Sequence, residues 1–141
     1  MLLLRTDKLP EGADWRYEVK LDGYRAMAIK SEGRVQLRSR NDKDFTKRYP
    51  GVVAAQAGMP DETVLDGEVV ALEAGGKPVF SLLQDGGTNV HFYVFDSLVR
   101  ARKDITAEPL VKRRELSYGT CCRRWTSRCG AHRCWRPVCR I

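Results

Sequence analysis

Glu18, Lys20 and Asp22 fall on one face of an alternating stretch, and Arg25 follows just past Gly23. Trp15, Tyr17, Val19 and Leu21 alternate with Arg16, Glu18, Lys20 and Asp22, the period of a half-buried strand. A lysine between two carboxylates, on a strand ending in glycine and with an arginine beyond the turn, is a candidate nucleophile. Lysine attacks only as the free amine, a form that burial or cationic neighbours favour. Arg25 is one such neighbour and can also hold a phosphate through two parallel hydrogen bonds. The same pattern equally describes a solvated sheet face whose charges pair across strands.

Several elements must position this stretch. Gly23 supplies a turn, and Tyr24 to Lys30 reads as a second strand. A turn at Ser31-Glu32-Gly33 leads to a third strand, Arg34 to Arg38, with Val35 and Leu37 on one face. Arg38-Ser39-Arg40-Asn41 leaves that strand as a polar loop. Asp44 or Thr46 could cap a helix, but Pro50-Gly51 delays it, so the expected helical core is Val52 to Ala57. Gly58 to Asp61 is a break. Thr63 to Leu72 reads as a Val- and Leu-rich strand whose internal Gly67 signals a bulge or a close approach. After a turn at Gly75 to Pro78, Val79 to Leu83 fits a short helix or a strand. Gly86-Gly87 ends it, and Val90 to Phe95 is an aromatic strand leading to Asp96. Pro109, at a first-turn position, opens a basic helix from Leu110 to Leu116. Many antiparallel pairs with few helices define an α+β class.

The 141 residues are 43% hydrophobic and 30% charged, which suits one globular domain. Leu2 to Leu4 is too short for a membrane span or a secretion signal, so a cytoplasmic location with no membrane partner is expected; the chain is also expected to be a monomer. The net charge of +7 is not spread evenly. After Ser117 there are six arginines and no acid, leaving 19 basic against 18 acidic residues in the body. All five cysteines, at 121, 122, 129, 134 and 139, also lie there. The chain therefore divides into a balanced body, residues 1–116, and an Arg/Cys-rich tail, residues 117–141.

Lys20-Leu21-Asp22-Gly23-Tyr24-Arg25 resembles the first nucleotidyltransferase motif of ATP-dependent DNA ligases, RNA ligases and mRNA-capping enzymes. Three more segments follow in that family's order. Leu37-Arg38-Ser39-Arg40-Asn41 resembles its arginine segment, Leu65-Asp66-Gly67-Glu68 its third motif, and His91 to Asp96 the motif after that. The likeness is greatest to compact bacterial and archaeal DNA ligase domains, including those of end-joining enzymes. It implies the N-terminal part of an antiparallel-sheet nucleotidyltransferase fold, ATP-grasp-like. It further implies that Lys20 takes AMP from ATP and that the AMP passes to a DNA 5′-phosphate to seal nicked or broken double strands in repair or recombination. By resemblance, Glu18, Arg25, Arg40, Glu68 and Phe95 contact the nucleotide, Phe95 stacking on adenine. Glu68 is also the candidate Mg²⁺ ligand, directly or through water. End-joining proteins are implied partners, and the nucleoid the implied location. Competing with these assignments, Arg40 is by default a solvated loop residue, Phe95 a core residue, and Asp66 and Glu68 part of a bulged strand edge. His91 reads as structural. An RNA ligase or capping enzyme, or a non-catalytic remnant that binds nucleotide or nucleic acid, is the alternative function.

The family continues with Glu-Gly-x-x-x-Lys, Lys-x-Lys and an OB-fold domain, none of which this sequence contains. The expectation is therefore a truncated adenylation domain of impaired activity. Its tail is expected to be disordered and to arise from frameshifted translation, which yields Arg, Cys, Trp, Gly and Pro from GC-rich sequence. A metal module built on Cys129, His132, Cys134 and Cys139, or a basic arm with Trp125 and Trp135 for stacking, are the other readings of the tail.

Overall fold

The computed structural model describes residues 6–8, 10–12, 20–85 and 89–121. Glu18 and most of the first expected strand, the Gly86-Gly87 break and the tail from residue 122 lie outside the described residues. Lys20, Leu21 and Asp22 carry no regular secondary structure, so the strand expected to run through Asp22 does not include them.

Among the described residues, five antiparallel strands form one sheet in the order β2-β1-β3-β4-β5. They are β1 Tyr24–Ser31, β2 Arg34–Ser39, β3 Thr63–Ala71, β4 Val90–Arg100 and β5 Lys103–Asp104. β1 and β2 join through Glu32 and Gly33, both left-handed at φ 50° and 73°, in the two-residue turn whose twist matches that of the strands. The Asp61 carboxylate accepts the Gly33 N–H at 3.0 and 3.1 Å, tying this turn to the start of β3.

β3 sits at the centre of the sheet, which removes the reading of Asp66 and Glu68 as a strand edge. A side chain at Gly67 would meet the Tyr93 carbonyl oxygen and, at 2.8 Å, the Phe92 ring. Glycine here lets the fully buried Phe92 lie against the neighbouring strand. β4 runs five residues beyond the Phe95 end expected from sequence. Its register with β3 slips between Asp66 and Gly67 and again between Val64 and Leu65, making Phe95 and Leu98 extra residues. Each bulge carbonyl finds a donor outside the ladder: Arg114 Nε reaches Phe95 O at 3.0 Å, and Ile105 N–H reaches Leu98 O at 3.0 Å.

Among the described residues, three α-helices flank the sheet: α1 Pro50–Ala55, α2 Phe80–Gln84 and α3 Leu110–Cys121. Pro50 opens α1 with Tyr49 as its N-cap, so the proline begins the helix rather than delaying it, its missing N–H being unneeded there. A 3₁₀ turn, Gln56–Gly58, follows where the helix was expected to continue. α2 resolves the Val79 to Leu83 segment as helical. Pro109 precedes α3, and its carbonyl accepts the Arg113 N–H at 3.1 Å. α3 continues past Leu116 and past the compositional change at Ser117, whose buried hydroxyl donates to Arg113 O at 2.9 Å.

The core lies on the sheet face carrying Ala26, Ala28, Val35, Leu37, Leu65, Val69, Phe92 and Val94, closed by Phe45, Tyr49, Val52, Met59 and Leu83. Full burial of a Leu or Phe side chain contributes about 1.5–3 kcal/mol each, which makes this face the main source of stability. No helix among the described residues is long and apolar enough to cross a membrane.

Candidate functional site

β1 begins at an anchor. The Tyr24 ring packs edge-on against Phe45 and Phe80, with centroids 5.5 and 5.1 Å away, and the Arg48 guanidinium stacks over it at 5.5 Å. Tyr24 therefore fixes Gly23 before it and Arg25 after it. Gly23 does not act through a left-handed turn. Its backbone lies so close to β3 that a side chain would collide with the Val69 carbonyl oxygen and approach Glu68 Cγ at 3.0 Å. From that position the Gly23 N–H lies near enough to the Glu68 carboxylate to pull its pKa down.

Glu68, half-buried on β3, faces Arg25 across the β1–β3 ladder and Tyr93 across the β3–β4 ladder. Burial raises its pKa, against the opposing pull of the Gly23 N–H and the Arg25 and Lys20 charges, while Asp22 adds to the rise. Lys20 itself is exposed. The lysine, Gly23, Arg25 and Glu68 thus gather where the segment before β1 meets the middle of β3.

Arg25 was read from sequence as a phosphate clamp. In the structure its Nε–Nη2 edge meets Asp66, at 3.1 Å to Oδ1 and 2.6 Å to Oδ2, and this hydrogen bonding raises the guanidinium pKa. Asp66 is register-paired with Asp96, and Arg113 of α3 grips Asp96 at 2.8 and 2.7 Å. Two carboxylates directly opposite each other repel. Here each is matched by its own arginine, one from β1 and one from α3, so the Asp66–Asp96 pair links the two elements across the sheet. Asp66 and Asp96 stood inside recognised motifs without a role, and Arg113 and Arg114 only in a basic helix. Their pairing spans 41 and 17 residues of sequence, a separation that no local pattern reports.

The backbone N–H of Arg40 donates to Arg25 O at 3.1 Å, so the polar loop after β2 is tied to β1 at Arg25, with the Arg40 side chain exposed. Phe95 is half-buried and is not part of the buried core, contrary to the default for an aromatic strand residue. His91 is buried, with Nε2 2.8 Å from Asn89 Oδ1, consistent with a structural position.

A twisted antiparallel sheet of this order, with a lysine–glycine–arginine segment docked on an acidic central strand, defines an α+β nucleotidyltransferase domain of the kind found in DNA ligases. The chain belongs to the ATP dependent DNA ligase domain family, whose model matches residues 5–119. It is 38% identical over 111 residues to the multifunctional non-homologous end joining protein LigD of Pseudomonas aeruginosa, covering 74% of this chain and 13% of that protein. It is 30% identical over 122 residues to the SPbeta prophage-derived DNA ligase-like protein LigB of Bacillus subtilis, covering 82% of this chain and 44% of that protein. Among solved structures, the ligase domain of M. tuberculosis LigD matches with a TM-score of 0.62 at 37% identity, over 71% of this chain and 34% of that one. A mycobacterial DNA ligase D complexed with ATP and MES matches with a TM-score of 0.63 at 37% identity over the same shares. The chain thus spans less than half the length of these relatives.

Proposed function

We propose that this domain carries out the first step of DNA ligation, transfer of AMP from ATP to Lys20. The observation that carries the reading is the close approach of Gly23 to β3 at Val69 and Glu68, which docks the end of the Lys20–Gly23 segment there, beside Arg25. Lys20 Nζ, as the free amine, attacks the α-phosphorus. A P–N bond forms, the P–O bond to the β-phosphate breaks, pyrophosphate leaves, and the amine proton passes to solvent. Charge builds on phosphate oxygens during attack, and Arg25 and Arg40 supply cations on the approach side. Glu68 orients the ribose or metal side of the nucleotide, and Phe95 stacks on adenine. Glu18, beside Lys20 in sequence, completes the nucleotide contacts.

A magnesium ion fits this donor set in a restricted way. Asp66 and Asp96 are engaged by arginines, and among the described residues no cluster of three His, Cys, Asp or Glu could hold an ion by itself. Glu68 remains as a hard oxygen donor, which suits Mg²⁺ held mainly by the nucleotide's own phosphates. Bound there, it would neutralise charge on the phosphate oxygens.

Nicked or broken double-stranded DNA is the proposed acceptor of the AMP, and the end-joining relatives support a role with end-joining proteins near the nucleoid. Incubating the purified chain with Mg²⁺ and ATP labelled in the α-phosphate, beside Lys20→Ala, tests the step. A covalent label present in wild type and absent in the variant is expected. Equal labelling of both would remove Lys20 from the role.

A further inference from the structure

Phe95 is the extra residue of a β-bulge, and this has a consequence for how its ring is held. A bulge residue has no partner across the ladder, so its peptide orientation is set by whatever satisfies its carbonyl. For Phe95 that group is the Arg114 guanidinium of α3, whose Nε donates to Phe95 O at 3.0 Å. The next residue is held from the same helix, Asp96 accepting two hydrogen bonds from Arg113 at 2.8 and 2.7 Å. Arg113 also donates to Thr106 O at 3.0 Å and Glu108 O at 2.7 Å, which fixes the start of α3 to the loop before it. Arg113 is thus the anchor of the helix, and Arg114 is the contact between the helix and the bulge.

We propose that Arg114 is a positioning residue for the nucleotide base: by holding the Phe95 carbonyl it sets the angle at which the Phe95 ring meets adenine. The inference rests on the proposed stacking role of Phe95. Arg114 touches no part of the nucleotide in this account, so its effect must be confined to the base and leave ribose and phosphate recognition alone.

The test compares binding of ATP with binding of ribose 5′-triphosphate, which differ only in adenine, to the full chain in Mg²⁺. The variants are Arg114→Met, which keeps the stem and removes the donor, and Arg114→Lys, which restores one donor. Arg114→Met should lower the preference for ATP by about three- to tenfold, the range a stacking contact supports, with ribose 5′-triphosphate bound as in wild type. Arg114→Lys should recover much of that preference. An unchanged preference in Arg114→Met, or equal weakening of both ligands, would overturn the proposal. Should Arg114→Met fail to fold, Arg114→Leu, which also lacks a donor, is read in its place by the same criteria. A wild-type chain that binds ATP no better than ribose 5′-triphosphate would instead refute the stacking role of Phe95, and the positioning role with it.

Discussion

Gly23→Ala is the substitution whose effect follows most directly from the geometry. A Cβ there meets the Val69 carbonyl oxygen and lies 3.0 Å from Glu68 Cγ. β3 cannot retreat, because β1 and β4 hold it on both sides. The Lys20–Gly23 segment must lift instead. Forcing extra volume into a closed contact costs about 1–3 kcal/mol, so the docked segment becomes roughly five- to hundredfold less populated. AMP labelling should fall by about the same factor. The melting temperature should change little, since the lifted segment precedes β1 and contributes nothing to the buried core. Gly33→Ala is the matched control. Nothing lies within 4 Å of its added Cβ, and only its φ of +73° resists a side chain. That strain costs about 1–2 kcal/mol, which lowers the melting temperature and leaves labelling of the folded protein unchanged. Both are measured by thermal melting and by the initial labelling rate with ATP. Labelling of Gly23→Ala at the wild-type rate, or its loss only in step with unfolding, would refute the docking argument.

Three further outcomes are expected. Glu68→Gln should stabilise the fold near neutral pH while slowing labelling. Burial raises the Glu68 pKa, so the folded state binds the proton more tightly, and stability is lost as pH rises from the ordinary glutamate range through the raised value. The gain from glutamine should therefore vanish in acid, which melting curves across pH will show. Arg25→Lys should slow labelling more than it lowers stability, because lysine cannot form the two-point contact with Asp66, and Asp66→Asn should add little to it in a double-mutant cycle. Arg113→Met should destabilise the protein by leaving Asp96 opposite Asp66 without its cation, and Asp96→Asn should restore part of the loss in the double variant when melting is compared.

The parts legible in sequence are those ruled by short-range pattern. Alternation located β2, whose Val35 and Leu37 face the core, the turn at Gly23 marked the start of β1, and Val and Leu content located β3, buried at Leu65 and Val69. The aromatic run marked only the first part of β4, which continues through the bulges at Phe95 and Leu98. β5 left no trace, being two exposed residues reached through Ala101 and Arg102. Both hold left-handed backbone at φ 47° and 72° without the glycine or asparagine that advertises such a turn. The importance of Gly23 was legible, but the reason was not: contact with a strand more than forty residues away, rather than backbone freedom, demands the glycine. The arginine–aspartate pairs were hidden for the same reason, since only the folded sheet brings Asp66 opposite Asp96 and within reach of β1 and α3.

Lys20 is the proposed nucleophile of a site assembled on β3. That role is tested most directly by incubating the chain with Mg²⁺ and ATP, digesting it, and locating any added AMP by mass spectrometry of the peptides. The account predicts AMP on the peptide containing Lys20 and on no other. AMP on a different lysine, or none on a chain shown by its melting to be folded and to bind ATP, would contradict it.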